Sequence, residues 1–118
     1  MKELLRSATA KAMKIDNTPP DAVRCNLEGL RERLEVIRIA MGTPLYITSG
    51  YRCEKLNAEV GGVPNSLHME GRAADIYVCG TRMSYLYRFL LNEDVKKVFG
   101  IVEVVNYNYR YFHVGFKY

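Results

Sequence analysis

The chain has no tryptophan, only two histidines, three cysteines and four prolines among its 118 residues. Each scarcity removes a possibility. Cys25, Cys53 and Cys79 are odd in number and widely spaced, so they suggest neither a disulfide framework nor a CxxC zinc site. They read as small buried or half-buried residues. No apolar run approaches the roughly 20 residues that span a bilayer, so no membrane segment is expected. The first residues, MKELLRSATAKAMK, carry scattered Lys and Arg without an apolar run, and no signal peptide is expected there. A site of action outside the cytoplasm then calls for delivery by other means or for a leader beyond these residues. The net charge of +4 favours anionic partners. The basic residues are nonetheless spread from Arg24 to Lys97 and form no patch, so neither nucleic acid nor a membrane is expected as a partner. Composition leaves the oligomeric state open.

What remains is an ordinary globular length with one core and no repeat or linker, hence a single domain over residues 1–118. A short helix is expected between Lys2 and Met13. Thr18-Pro19-Pro20-Asp21 reads as a helix start, with Thr18 as cap and Pro19 in the first turn. Val23, Leu27, Leu30, Leu34, Ile37 and Met41 then recur at helical spacing until Gly42 and Pro44. Leu45–Thr48 and Ala73–Val78 read as strands, Cys53–Val60 as a short helix, and 63–71 as a polar loop. Thr81–Asn92 is an amphipathic helix with Met83, Leu86, Phe89 and Leu90 inward. Gly100–Asn106 and Arg110–Tyr118 are two β-runs that predict a terminal hairpin. The order gives an α+β fold: a small antiparallel sheet packed against helices.

Both histidines occupy informative places. His68 lies in the polar loop. Asp75 interrupts the apolar run Ala73–Val78, where a carboxylate is costly unless paired or bound to metal. His113 alternates with Phe112, Val114 and Phe116, so those three face the core while His113 and Gly115 face away. Gly115 would leave open space beside the imidazole. Two imidazoles and a carboxylate suit a hydrolytic zinc site that keeps a position for water. The plainer alternative makes His68 a solvated loop residue, His113 a surface residue, and Asp75 a partner of Arg72 or Arg52.

Wider motifs narrow the choice. Ser49-Gly50-Tyr51-Arg52, Leu56-Asn57, Val60-Gly61-Gly62, Ser66-Leu67-His68 and Gly71-Arg72-Ala73-Ala74-Asp75-Ile76 occur in that order. With the late His113-Val114, this resembles the zinc D-Ala-D-Ala carboxypeptidase family, which includes vancomycin-resistance dipeptidases and phage endolysins. Ser7–Ala10 and Ile15–Pro20 are similar to its small phage- and Bacteroides-type members. The resemblance implies Zn2+ held by His68, Asp75 and His113. It implies Arg52 on a substrate carboxylate or carbonyl; Tyr51 is a further substrate-binding candidate, and so is Ser66, which either contacts substrate or supports the His68 loop. It also implies hydrolysis of peptide bonds in bacterial peptidoglycan stem peptides, by a protein made in a bacterial or phage-infected cytoplasm and acting at the cell wall or periplasm.

The pattern breaks at the general base. Several members of this family place an acid three residues before the last ligand or just after it, where this chain has Arg110 and Gly115, and others place a Glu in the strand before the terminal hairpin. Glu103, one strand earlier, is the remaining candidate, and its register decides its face. A turn over Asn106–Asn108 pairs Glu103 with Tyr111 and puts it beside His113. A two-residue turn at Tyr107-Asn108 pairs it with Phe112 and points it into the core. The first is expected, because an unpaired core glutamate is expensive. The missing acids keep a second reading open, a non-catalytic wall-binding or virion module that retains the zinc fold. Tyr107, Tyr109 and Tyr111 alternate along the hairpin and are candidates for lining a groove.

Overall fold

The computed structural model describes residues 2–118. Helices α1 (Lys2–Leu5), α2 (Ala8–Met13) and α3 (Asp21–Met41) precede strand β1 (Tyr46–Ser49). Then come α4 (Glu54–Glu59), β2 (Ala73–Tyr77), a 3-10 turn (Gly80–Arg82), α5 (Met83–Leu91), α6 (Glu93–Phe99), β3 (Ile101–Tyr107) and β4 (Tyr111–Phe116). The strands form an antiparallel sheet in the order β1-β2-β4-β3. This is the α+β arrangement expected.

Helix α3 carries the long apolar stripe. Leu27, Leu30, Leu34, Ile37 and Met41 are all buried and join Ala74, Ile76, Phe112, Val114 and Phe116 from one sheet face. Met83, Leu86 and Leu90 of α5 complete this core. Each fully buried aliphatic side chain contributes about 1.5–3 kcal/mol. Gly42 ends α3 in the left-handed conformation, its N–H donating to the Arg38 and Ile39 carbonyls.

Several local expectations need correction. Thr18 does not cap α3; its N–H donates to Asp16 Oδ1, and the helix begins at Asp21, after Pro20. The single amino-terminal helix is two, because Ser7 Oγ accepts the Ala10 N–H and starts α2. Helix α6 is additional: Asn92 leaves α5 in an extended conformation and accepts the N–H groups of Asp94 and Val95. Cys25 and Cys79 are exposed rather than buried, while Cys53 caps α4 through Sγ to the Leu56 N–H.

The terminal hairpin turns later than either register considered. Tyr107 pairs with Tyr111 and Val105 with His113, so Glu103 faces Gly115. Asn108 and Tyr109 both adopt left-handed backbone (φ 55° and 57°), held by Asn106 Oδ1 accepting the Tyr109 N–H at 2.8 Å. Tyr111 and Gly115 are four residues apart, an even step, so Glu103 still lands on the His113 face. A bulge at Val102 then lets Ile101, opposite Phe116, turn into the core although it stands only two residues from Glu103.

Candidate metal centre

The sheet face opposite the main core carries Asp75 and His113 as direct cross-strand partners on β2 and β4. The chain between β1 and β2 folds back over this face and brings His68 to it. Three backbone contacts hold that return: the Tyr51 N–H donates to Leu4 O (2.7 Å), the Arg52 N–H to His68 O (3.1 Å), and the Phe116 N–H to Arg72 O (2.8 Å). Ser66 Oγ accepts the His68 N–H at 3.1 Å.

The three side chains meet. His68 Nε2 lies 3.1 Å from Asp75 Oδ1, His113 Nδ1 lies 3.1 Å from the same oxygen, and the two nitrogens are 3.2 Å apart. Three donors of a tetrahedral zinc at its usual ligand distances stand about 3.3 Å apart, so this triangle has the size of one face of such a site. No other group of His, Cys, Asp or Glu among the described residues is gathered in this way. The solvated-loop alternative fails for His68, which is only 1% exposed. Asp75 pairs with the histidines, while Arg72 turns to Glu70 and Asn26.

Each imidazole is also fixed at its other nitrogen. His68 Nδ1 lies 2.6 Å from Gly50 O, and His113 Nε2 lies 2.7 Å from Glu103 Oε1. A hydrogen on each outer nitrogen leaves the inner nitrogen's lone pair for a metal, while without one the inner nitrogens can donate to Asp75 Oδ1 instead. Glu103 is thus on the expected face but touches the ring nitrogen turned away from the donor triangle. Gly115 does not leave the open space expected of it: a Cβ there would stand 2.5 Å from Glu103 Oε1 and 2.7 Å from Leu67 Cδ1.

The electrostatics follow from this packing. Burial pushes the Asp75 carboxyl up, but hydrogen bonds and charge from His113 and His68 outweigh it and hold the pKa at about 2. Burial pushes His113 down, while Asp75 and Glu103 more than reverse it, and its pKa is raised. Arg52 is lowered by burial, with Asp75, Tyr107 and Tyr111 opposing.

The triangle opens into a cleft of about 630 Å³ lined by Arg52, the 60–63 turn, Ser66, β3 and Tyr111. Arg52 Nε is buried without a hydrogen-bond partner. Tyr107 and Tyr111 stack at 4.7 Å on the cleft wall. Tyr109 instead turns to Tyr87 and Phe112. Tyr51 is 5% exposed and packs in the core, reaching only the neighbouring cavity beyond Arg52. Asn17, between α2 and α3, supports the Arg52 segment from both sides. Its amide donates to Leu5 O and Tyr51 O, and its Oδ1 accepts the Cys53 N–H.

The family model described as Peptidase M15 matches residues 1–114, a stretch that includes every donor of the triangle. The zinc D-Ala-D-Ala carboxypeptidase of Streptomyces albus G is 44% identical over 45 residues. That match covers 37% of this chain and 18% of the relative, so the chain spans less than a fifth of the curated protein it matches.

Proposed function

The chain belongs to the peptidase M15 family, and from that premise we propose that it is a zinc-dependent peptidase acting on peptidoglycan stem peptides, as a D,D-carboxypeptidase or a related endopeptidase of endolysin type. The observation that carries the reading is the triangle of His68 Nε2, Asp75 Oδ1 and His113 Nδ1, with edges of 3.1, 3.1 and 3.2 Å. These three residues would hold the metal. When bound, zinc supplies Lewis acidity that polarises a scissile carbonyl and lowers the pKa of water.

The remaining work falls to the chain itself. Arg52 presents a guanidinium to the cleft and binds a substrate carboxylate or carbonyl, a planar fork suited to two parallel hydrogen bonds. Ser66 holds the His68 loop through the His68 N–H. Asp75 and Glu103 are the carboxylates lining the cleft. With Asp75 committed to the donor triangle, Glu103 is the candidate to accept a proton from the attacking water, a role that falls to its second oxygen because Oε1 holds His113 Nε2.

The test is metal analysis of the purified protein together with mass spectrometry of digested peptidoglycan. One zinc per chain and release of stem-peptide fragments are expected, and the fragments identify the bond cut. Undiminished hydrolysis after removal of all metal would overturn the reading. Zinc uptake without any cleavage would instead mark a wall-binding module, the alternative that Arg110 and Gly115 motivate.

A further inference from the structure

The two imidazoles of the triangle point inward through different nitrogens, His68 through Nε2 and His113 through Nδ1. Such a pair works only if each ring carries its hydrogen on the outer nitrogen. For His68 a backbone oxygen, Gly50 O, accepts it. For His113 the acceptor is a side chain, Glu103 Oε1 at 2.7 Å. An exposed imidazole otherwise shares its hydrogen between both nitrogens, and the wrong tautomer has no lone pair to offer at Nδ1.

Glu103 reaches this position through two features of the hairpin. The bulge between Ile101 and Glu103 turns Ile101 to the core and Glu103 to the cleft. Directly across the ladder stands Gly115, and a Cβ there would lie 2.5 Å from Glu103 Oε1 and 3.1 Å from Glu103 Cβ. Gly115 is therefore more than an absent acid. Its missing side chain is the space through which a carboxylate from the neighbouring strand arrives.

We propose that Glu103 is the positioning residue of His113, holding it in the tautomer that presents Nδ1, and that Gly115 is the residue that admits it. This rests on the zinc reading and adds to it a role for Glu103 that precedes any proton transfer. Loss of such an outer partner typically weakens metal binding by 10- to 100-fold.

The test is zinc affinity, measured by competition with a chromophoric chelator, for the wild type, E103Q, E103A and G115A. Glu103 is exposed at the edge of the sheet, so E103A should fold, and a thermal melt checks it. E103A is expected to bind zinc roughly 10- to 100-fold more weakly. E103Q, whose amide oxygen still accepts the Nε2 hydrogen, should stay within a few-fold of wild type. G115A should weaken binding as E103A does, and the double variant should be no weaker than E103A alone. Nitrogen-15 spectra of the two imidazoles supply a readout independent of activity. In the metal-free protein, at a pH where the ring is neutral, the share of His113 carrying its hydrogen on Nε2 should be higher in the wild type than in E103A, where Asp75 Oδ1 at 3.1 Å from Nδ1 is the carboxylate acceptor that remains. E103A with wild-type zinc affinity and an unchanged tautomer overturns the positioning role while leaving the zinc reading intact. A wild type that takes up no zinc overturns both.

Discussion

Asp75 and His113 stand directly opposite each other on β2 and β4, and the sheet register alone brings Oδ1 to 3.1 Å from Nδ1. Two donors are thus set by strand pairing and the third, His68, by a loop hooked to Gly50 and Ser66. The site is preorganised by a core that lies on the other sheet face. Chelation should therefore leave the fold standing. The metal-free protein is expected to keep its circular dichroism spectrum but to melt earlier. Zinc at a thousandfold excess over its Kd adds about 4 kcal/mol, roughly 10–20 °C in a domain of this size. H68A or H113A should abolish that increment, as checked by melting with and without zinc. A full increment in H113A would remove His113 from the ligand set.

Arg52 shares the cleft with the triangle but touches none of its donor atoms, so metal and substrate functions should separate. R52A is expected to keep one zinc per chain while losing about 10- to 100-fold in kcat/KM, the cost of about 1.5–3 kcal/mol from a lost charged hydrogen-bond partner. R52K should recover only part of this, because an ammonium does not reproduce the bidentate fork. Zinc stoichiometry and steady-state kinetics on a short stem peptide check it. Loss of zinc in R52A would mean the guanidinium supports the triangle instead.

The triangle also makes stability depend on pH, with opposite signs in the two metal states. The raised His113 pKa adds stability to the metal-free protein that is fully present below about 6.5 and is lost as pH rises through the folded value. The lowered Asp75 pKa adds stability that is present above about 3.9 and lost as pH falls toward 2. The contribution of this pair to the metal-free protein should peak between those limits. Zinc needs neutral imidazoles, so its stabilising increment should grow from pH 5.5 to 8 while the metal-free contribution declines. Melting temperatures across that range, with and without zinc, decide the matter. An increment independent of pH would contradict the histidine ligation.

Much of the site was legible because strand alternation is robust. Phe112, Val114 and Phe116 report their face by period two, and so they place His113. The same parity carried Glu103 to the correct face although the turn was misplaced. The turn itself was hidden by Tyr109, a residue type that rarely signals left-handed backbone, and by its bond to Asn106. The bulge at Val102 left no mark on composition, and only the ladder shows that Gly115 and Glu103 compete for one volume. Helix α6 did have a signal, Asn92 followed by Glu93 and Asp94 as cap and acidic first turn. It lay between stronger apolar patterns on either side.

Asn17 tests whether the amino-terminal segment serves the site or only the fold. Its side chain bonds the carbonyl of Tyr51 at 2.9 Å and the N–H of Cys53 at 2.8 Å, the residues on either side of Arg52. A third bond, to Leu5 O at 3.2 Å, ties that segment back to α1. Removing the amide leaves these backbone groups to find water or remain unpaired, a cost of about 1–3 kcal/mol. N17A should therefore lower the melting temperature by several degrees. Because no contact of Asn17 reaches His68, Asp75 or His113, zinc affinity should stay within about twofold of wild type, the additive behaviour of separate sites. Because Arg52 loses the frame on both its flanks, KM should rise more than kcat falls. A Tm loss with unchanged KM would confine Asn17 to the fold. A matched loss of zinc would show that the segment before α3 supports the triangle through the Arg52 N–H to His68 O contact.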